Sequence, residues 1–280
     1  MDPTIPLELI HGHLVFTLNG KRWLLDTGSP ESFGLEATNP LLQNSPLQPC
    51  MGGLLNPESL SSYVGCPLDG LIGTDTLNHF DVEINLPSGF IRFSKDHIVW
   101  HEPDAFFEHN LVFSDRMPGI PLMRAVCSFE KDFCHFWPNL QHGEDMAALD
   151  LPGAEYYVFD TGAKYSYNQM KIEGFFPAGM PLELHDFWPP MGKFKTEGAF
   201  LCLSFPTPLH SIAQKVDRDY CLTGQNQTVL TVGLPPAKLN AHLERCGVRG
   251  IIGNELIRNQ ACIYSARRNK LTFLDSFLRK

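Results

Sequence analysis

The sequence predicts a mainly β protein with short helices, built as two lobes related by a pseudo-twofold axis. The 22 Pro and 23 Gly residues are spread along 280 positions, a pattern that favours many short strands and turns over long helices. One order of strand, turn, helix-like segment and hairpin occurs twice along the chain. Each copy alone would leave an open β face, so we expect the two copies to pack together.

The first copy begins with partial alternation of apolar and polar residues over positions 6–16. Asn19-Gly20 is a typical hairpin turn, and the apolar run 23–25 leads into Asp26-Thr27-Gly28-Ser29. The copy closes with Gly70-Leu71-Ile72-Gly73. We therefore predict strands up to the first Asp-Thr-Gly and again at 70–73.

The second copy repeats this order. Strands are expected around 120–136, and the apolar run 156–159 precedes Asp160-Thr161-Gly162-Ala163. It closes with Gly250-Ile251-Ile252-Gly253. In each copy the closing glycine is followed by a helix-like stretch and a strand pair, predicted at 74–78, 80–86 and 90–93 in the first and at 254–259, 261–264 and 271–274 in the second.

The boundary between the lobes is predicted near 100–118, where charged residues, Pro and Gly mix as in a linker. The N-terminal lobe, 1–104, carries the Asp-Thr-Gly at 26–28, and the C-terminal lobe, 105–280, carries the one at 160–162. The interval from Asp-Thr-Gly to the closing glycine is nearly twice as long in the second lobe. We expect an insertion there, with the polar stretch 224–228 as a surface loop.

Each Asp-Thr-Gly places a carboxyl group at a tight turn directly after an apolar strand. Two such turns can face each other, and two adjacent carboxyls cannot both ionise, so one pKa rises and the pair shares a proton. One carboxylate then takes a proton from water while the other donates to a carbonyl oxygen, which is general acid–base hydrolysis of an amide. The alternative is that each is an ordinary turn whose Asp caps local amides.

With Asp69-Gly70-Leu71-Ile72-Gly73 and Arg249-Gly250-Ile251-Ile252-Gly253 downstream of the two turns, the chain resembles aspartic peptidases of the retropepsin-like and pepsin-like superfamily. The resemblance implies a bilobal acid-protease fold of two retropepsin-like units, with a peptide cleft and a water bound between two catalytic aspartates. The residues that match the motif are Asp26, Thr27, Gly28 and Ser29 in the first copy and Asp160, Thr161, Gly162 and Ala163 in the second. In the family the threonines interlock below the aspartates, and the Ser29 position often hydrogen-bonds an aspartate, a hydroxyl that Ala163 lacks.

The family also closes its cleft with a hairpin flap between the Asp turn and the apolar-Gly element. Residues 185–196 form a predicted hairpin with Phe187 and Trp188 on one arm and Gly192 at the tip. We predict that it is a flap; the alternative is an exposed hairpin whose aromatic residues pack on the barrel. In the first lobe, 50–53 and Tyr63 are weaker flap candidates within irregular loop, and that lobe is also compatible with having no flap.

Several functional classes are disfavoured by composition and motifs. The formal charge is −9 without a dense basic run, so nucleic acid is an unexpected partner. We find no signal-peptide pattern, no run of eighteen apolar residues, no nucleotide fingerprint and no Gly-x-Ser-x-Gly elbow. We expect a cytoplasmic protein that needs neither membrane nor cofactor.

Cysteine and histidine usage favours no metal site. The eight cysteines include no Cys-x-x-Cys pair, and reduced thiols are expected. His11-Gly12-His13 is the closest histidine cluster, but without a third ligand both are expected to be surface polar residues.

The sequence therefore predicts a monomeric aspartic endopeptidase that acts on peptides or unfolded segments through Asp26 and Asp160. Two alternatives stay open: a protein that keeps the cleft and binds peptides without efficient cleavage, and a self-processing regulator.

Overall fold

The computed structural model describes residues 2–42, 45–99, 105–128, 154–169, 181–205 and 227–274. Strands dominate these ranges, and the helices among them are short. The predicted fold class, a mainly β chain of two similarly built lobes, is confirmed.

The first half contains two helices and seven strands within the described ranges. The strands are β1 (Ile5–Ile10), β2 (His13–Leu18), β3 (Lys21–Leu25), β4 (Phe33–Gly34), β5 (Gly70–Ile72), β6 (Asp81–Asn85) and β7 (Phe90–Ser94), and the helices are α1 (Pro57–Val64) and α2 (Thr74–Leu77). β1, β2 and β3 form an antiparallel meander, as the alternation and the Asn19-Gly20 turn predict.

The described part of the second half contains ten strands and one α-helix. The strands are β8 (Ala105–Ser114), β9 (Met117–Ser128), β10 (Glu155–Phe159), β11 (Ser166–Asn168), β12 (Leu182–Trp188), β13 (Gly192–Ser204), β14 (Gln227–Gly233), β15 (Gly250–Ile252), β16 (Ala261–Ser265) and β17 (Lys270–Leu274), and the helix is α3 (Ala237–Cys246). A 3-10 turn, Asn254–Ile257, follows β15 in the place that α2 takes after β5.

The same strand arrangement surrounds both Asp-Thr-Gly turns. β3 pairs in parallel with β5, and β4 adds to β5 in the antiparallel direction. β10 and β15 form the equivalent parallel pair, with β11 antiparallel to β15. This repetition supports the internal duplication inferred from the sequence motifs.

The two halves share a continuous antiparallel sheet of six strands in the order β1, β7, β6, β16, β17 and β8. Its central pair, β6 and β16, joins the halves with Val82 opposite Tyr264. The main buried cluster lies across this junction and includes Phe16 and Trp23 from the first half with Phe159 and Phe273 from the second. The lobes therefore share one core.

The second half differs from the first by closing into a barrel. β9, β10, β15, β11, β14 and β13 pair in sequence, and β13 pairs again with β9. β12 extends from β13 as a hairpin. The longer interval of the second lobe thus supplies β12, β13 and β14.

The linker prediction for 100–118 is wrong for the part that the structure describes. Residues 105–114 form β8, and β9 starts at residue 117. Apolar side chains of these strands, such as Leu111 and Ile120, are buried in the shared core and the barrel. Residues 100–104 lie outside the described ranges. In the predicted 224–228 loop, residues 227 and 228 begin β14, and 224–226 also lie outside those ranges.

Helices α1 and α3 were missed by the sequence analysis, which interpreted the stretch around 50–53 and Tyr63 as irregular loop. Asn56 is the N-cap of α1, accepts a hydrogen bond from the Ser59 amide and completes a capping box with the Ser59 side chain. Each helix ends at a glycine in the left-handed conformation, Gly65 or Gly247, and directly precedes β5 or β15. The two helices therefore occupy equivalent places in the halves.

Candidate functional site

Asp26 and Asp160 stand at the ends of the two equivalent strands β3 and β10. The amide of Asp26 donates to the carbonyl of Ile72 over 3.1 Å, and that of Asp160 donates to Ile252 over 2.9 Å. Each parallel strand pair thus holds its aspartate at the point where the strand gives way to a turn. The closing motifs fix the aspartates by backbone bonds.

Thr27 and Thr161 interlock across the junction of the halves. The Thr27 amide donates to Thr161 Oγ1 over 3.0 Å, and the Thr161 amide donates to Thr27 Oγ1 over 2.9 Å. Each hydroxyl donates in turn to a strand carbonyl of the opposite half, Thr27 to Phe159 over 2.7 Å and Thr161 to Leu25 over 3.0 Å. Both threonines are buried, so these four bonds form a rigid base under the aspartates.

Glycine is required in both turns because each packs against the aspartate of the other half. A Cβ at Gly28 would overlap the Asp160 carboxyl, and a Cβ at Gly162 would overlap the Asp26 carboxyl. The absence of side chains lets the two turns approach until the carboxyls are hydrogen-bonded to each other. The structure therefore brings together the two predicted aspartates and their glycines.

The environment favours one shared proton on this pair. Burial raises the pKa of both carboxyls, and the charge of Asp160 raises the pKa of Asp26 further. Asp160 Oδ1 accepts from the amides of Gly162 (2.8 Å) and Ala163 (3.0 Å), whereas Asp26 Oδ1 accepts from Gly28 (2.9 Å). These contacts favour Asp26 as the protonated member and Asp160 as the carboxylate.

Ser29 does not make the side-chain bond that the family resemblance implies. Its hydroxyl donates to the Glu31 carbonyl over 2.8 Å and contacts Met51 Sδ at 3.4 Å, because the backbone bends back toward residue 31 after the turn. Its carbonyl accepts from the Thr74 amide, as the Ala163 carbonyl accepts from Asn254. Ser29 therefore links the turn to the start of α2.

His13 is a site residue that the sequence analysis placed on the surface, and that prediction is wrong. It is 4% exposed, and its Nδ1 lies 3.0 Å from the carbonyl of Gly162 in the second turn. That bond requires a hydrogen on Nδ1. Burial lowers the pKa of His13 to about 4, so at neutral pH the ring is the neutral tautomer that carries its hydrogen on Nδ1. No signal in the sequence distinguishes a buried His13 from an exposed one at the start of β2.

A second missed contributor is Asn254, the first residue of the 3-10 turn after β15. Its Nδ2 donates to the carbonyls of Gly12 (3.0 Å) and Thr161 (3.1 Å), and its Oδ1 accepts from Arg258 Nε at 2.8 Å. Arg258 also donates to the Lys164 carbonyl over 2.7 Å. This network fixes the second Asp turn against the first hairpin.

The β12–β13 hairpin borders the same small cavity as the two aspartates. The cavity has a volume of about 70 Å³, and its lining includes Asp26, Asp160, Phe187, Trp188 and Phe194. The hairpin turn lies between Trp188 and Gly192, with the Met191 amide donating to the Trp188 carbonyl over 2.8 Å. The predicted hairpin is present and lies beside the carboxyl pair.

The two aromatic residues of the hairpin contact different halves of the molecule. Phe187 stacks on Tyr63 of α1 with ring centroids 5.0 Å apart and packs with the first-half cluster around Leu24 and Leu60. Trp188 lies 5.4 Å from the His242 ring of α3 and packs with the second-half cluster. A Cβ placed on Gly192 would lie 3.6 Å from the Tyr63 hydroxyl oxygen. Gly192 itself does not line the cavity.

A third carboxyl group, Asp186, lies at the cavity edge. Its Oδ2 accepts from the buried Tyr167 hydroxyl over 2.7 Å, and its Oδ1 accepts from the Phe187 amide over 2.9 Å. Burial raises the pKa of Asp186 to about 6, against the effect of these donors. The sequence analysis did not single it out, although it directly precedes the predicted aromatic arm.

The first-half flap candidates have other places in the structure. Around residues 50–53 the described chain forms a short turn closed by Met51 and Leu55, both of which line the cavity. Tyr63 belongs to α1 and supports Phe187. Apart from residues 43 and 44, the interval between β4 and β5 is described and contains no hairpin of two strands.

Across the described ranges, no three His, Cys, Asp or Glu residues cluster as metal ligands would. The thiols of Cys50, Cys66, Cys246 and Cys262 are free within these ranges. No helix in the described part of the chain combines the length and apolar character needed to cross a bilayer.

No protein-family model matches the sequence. No curated protein matches it significantly either. Among solved structures, it is similar to an aspartic proteinase from Irpex lacteus, at 8% identity and a TM-score of 0.47, over 100% of this chain and 99% of that one.

Proposed function

We propose that the chain is an aspartic endopeptidase that hydrolyses peptide bonds with water activated by Asp26 and Asp160. The observation that carries the proposal is the pair of hydrogen-bonded carboxyls on two interlocked turns. An isolated capping turn would need neither the second carboxyl nor a glycine pressed against it. Shared protons between such carboxyls are typical of groups that act as acid and base together.

In the proposed reaction Asp160, as the carboxylate, takes a proton from a water that attacks the peptide carbonyl. Asp26 donates its proton to the carbonyl oxygen, which gives a tetrahedral gem-diol without a covalent enzyme intermediate. Asp160 then passes the proton it gained to the leaving nitrogen, Asp26 takes a proton back from one hydroxyl of the gem-diol, and the C–N bond breaks to give a carboxylic acid and an amine. The amide donors on Asp160, and the charge of Asp160 that raises the pKa of Asp26, support this division of roles.

The hairpin tip is proposed to act as a flap that covers the substrate and excludes bulk water. Phe187 and Trp188 supply apolar contacts to both halves, and Gly192 allows the tight turn with φ of 78°. This flap comes from the second half, and α1 of the first half supports it.

The proposed substrate is a peptide or an unfolded protein segment, and no metal, cofactor or nucleic acid enters the reaction. We propose a monomer because one chain supplies both aspartates. The free thiols of Cys50, Cys66, Cys246 and Cys262 fit a reducing compartment such as the cytoplasm.

A second candidate function is peptide binding with weak cleavage, including self-processing. It is favoured by the volume of about 70 Å³ beside the aspartates, which keeps a peptide held elsewhere in the cleft from reaching the carboxyls unless the hairpin moves. The two candidates differ in whether the hairpin opens during turnover.

The test is cleavage of a mixed peptide library between pH 3 and 7, read by mass spectrometry. Asp26→Asn and Asp160→Asn are each expected to lower kcat by about 10²- to 10⁴-fold, since each removes one of the two proton-transfer groups. Asp96→Asn, at an exposed position, is the matched control and keeps full activity. If the intact chain binds library peptides and cuts none, the peptidase proposal fails in favour of the binding protein.

Activity is also expected to fall as pH rises through the raised pKa of Asp26. The Asp26 carboxyl then loses its proton and can no longer donate it to the peptide carbonyl. A pH–rate profile of kcat measures this loss. A rate that stays constant from pH 3 to 9 would contradict the shared proton.

A further inference from the structure

A second and larger cavity, of about 510 Å³, opens beside the carboxyl pair. Its walls are the β1–β2 turn, the end of α1, Lys164 after the second Asp turn, and both arms of the β12–β13 hairpin. Asp186, Phe187 and Phe194 line this cavity and the one at the aspartates. An extended chain that passes the aspartates under the hairpin would therefore continue into it.

The lining of this cavity is basic although the chain as a whole has a formal charge of −9. Asp186 is its one acidic member among the described residues, and burial raises the pKa of that carboxyl to about 6. The lysines and histidines on its walls are His11, His13, Lys164, His185, Lys193 and Lys195.

These basic groups are not equally available to a ligand. Glu183 accepts from Lys195 over 3.1 Å and lies 2.6 Å from His185 Nε2, so those two groups are already paired. His13 is neutral because burial lowers its pKa to about 4.

Lys164 and Lys193 form no ion pair within the described part of the chain. The Lys164 ammonium lies 4.8 Å over the Tyr165 ring, and Lys193 is exposed on the hairpin arm opposite Phe187. Two ammonium groups outside any ion pair in these ranges thus face a cavity whose single carboxyl, Asp186, offsets one charge at most, and the cavity has room for a side chain. A carboxylate is the group that would balance them.

We propose that this cavity is a substrate subsite that selects acidic side chains, Asp or Glu, flanking the cleaved bond. The proposal rests on the proposed peptidase function for the path of the peptide, and on Lys164 and Lys193 for its charge preference. The hairpin carries one of the two lysines, so an acidic side chain would also hold the hairpin down over the substrate.

Binding is tested separately from cleavage by using the full-length Asp26→Asn protein and fluorescence polarisation. The probes are two fluorescein-labelled decapeptides with the same apolar centre, one flanked on both sides by Glu and the other by Gln. The Glu peptide is expected to bind about fivefold more tightly at low ionic strength, with the difference shrinking in salt. The double variant Lys164→Glu/Lys193→Glu should reverse the order of the two peptides.

The single variants Lys164→Glu and Lys193→Glu should each weaken the Glu preference. Lys95→Glu, which makes the same charge change at an exposed position outside the cavity lining, is their matched control and should leave the preference unchanged. Equal binding of the two peptides, a preference that survives the double variant, or no binding of either peptide would overturn the subsite. A Glu preference in a protein whose unmutated form cuts nothing would support the subsite and refute the peptidase. Cleavage without a Glu preference would do the opposite.

Discussion

The two threonines of the Asp-Thr-Gly turns connect the halves through their hydroxyl oxygens. Each hydroxyl accepts an amide hydrogen from the other turn and donates its own to a strand carbonyl across the junction. Both functions require an oxygen at this position, and both partners are buried backbone groups. The position therefore tolerates serine but not a residue without a hydroxyl.

Thr27→Ala is expected to lower the free energy of unfolding by about 2–4 kcal/mol, because the Thr161 amide and the Phe159 carbonyl lose their partners in a buried place. Urea unfolding followed by tryptophan fluorescence measures this, together with peptide cleavage. Thr27→Ser keeps the oxygen and should lose less than about 1 kcal/mol. Equal midpoints for the alanine and serine variants would contradict the role of the hydroxyl.

His13 links the first hairpin to the second Asp turn, and its ring lies 5.5 Å from that of Phe187. Burial lowers its pKa from 6.5 to about 4, so the folded protein holds it neutral while the unfolded chain protonates it at higher pH. Its contribution to stability is complete above pH 6.5 and is lost as pH falls from there to 4.

His13→Asn keeps a donor near the Gly162 carbonyl but removes the titrating ring. Relative to this variant, the unmutated protein is expected to lose about 3 kcal/mol of unfolding free energy between pH 7 and pH 4. Guanidinium unfolding at several pH values measures the difference. The contributions of the other buried titrating groups, such as the aspartate pair, are present in both proteins and cancel. Parallel pH profiles of the two proteins would show that His13 is not held neutral.

Among the elements, the β12–β13 hairpin stands out because equivalent helices of the two halves support it. Tyr63 of α1 stacks with Phe187, and His242 of α3 packs with Trp188. Helix α1 begins at the Asn56 cap. Both helices end at a glycine, and the next strand, β5 or β15, holds an aspartate by a backbone hydrogen bond. The helices that support the hairpin are thus next along the chain to the strands that hold the aspartates.

Trp188→Ala is expected to lower kcat/KM for peptide cleavage on the order of 10²-fold, because the hairpin loses its contact to α3 and positions the substrate poorly. Steady-state kinetics on a fluorogenic peptide gives the ratio. Phe200→Ala is the control, since Phe200 lies on β13 of the same hairpin and is 65% exposed. A similar loss in both variants would argue against a specific role for Trp188.

The shared six-stranded sheet makes the two halves one folding unit. At its centre the buried Asp81 of β6 accepts from Ser265 Oγ (2.6 Å) and from Arg267 (3.0 Å), both from the second half. The Ile98 amide donates to its other oxygen over 3.0 Å. Burial raises the pKa of Asp81, but these donors outweigh it and the net pKa is lowered, so the carboxylate stays charged at neutral pH.

Asp81→Asn is expected to destabilise the whole chain by about 1.5–3 kcal/mol, because the change removes the charge of a buried carboxylate that accepts from Ser265 and from the half-buried Arg267. Differential scanning calorimetry should show one transition moved to lower temperature. Asp96→Asn, on the exposed loop after β7, should leave the transition unchanged. Two separate transitions in the variant would show that the halves unfold independently.

Local sequence patterns predict much of the architecture. Alternation and the Asn19-Gly20 turn predicted the first meander, and the paired Asp-Thr-Gly and apolar-Gly motifs predicted the duplicated strand arrangement. Helices α1 and α3 were missed because a proline beside a cap residue is common to loops and helix starts. The 105–118 segment was misjudged because its charges and prolines outweighed its alternating apolar residues.

The amino-acid order fixes which residues occupy the two turns, since strand periodicity and the steric freedom of glycine are properties of neighbouring residues. The contact between Asp26 and Asp160, the interlocked threonines, the burial of His13 and the support of the hairpin by α1 and α3 depend on residues far apart along the chain. Those contacts exist because the two halves share one core and one sheet. The two carboxyl groups therefore acquire their shared proton only in the folded molecule, where burial and close approach raise their pKa values.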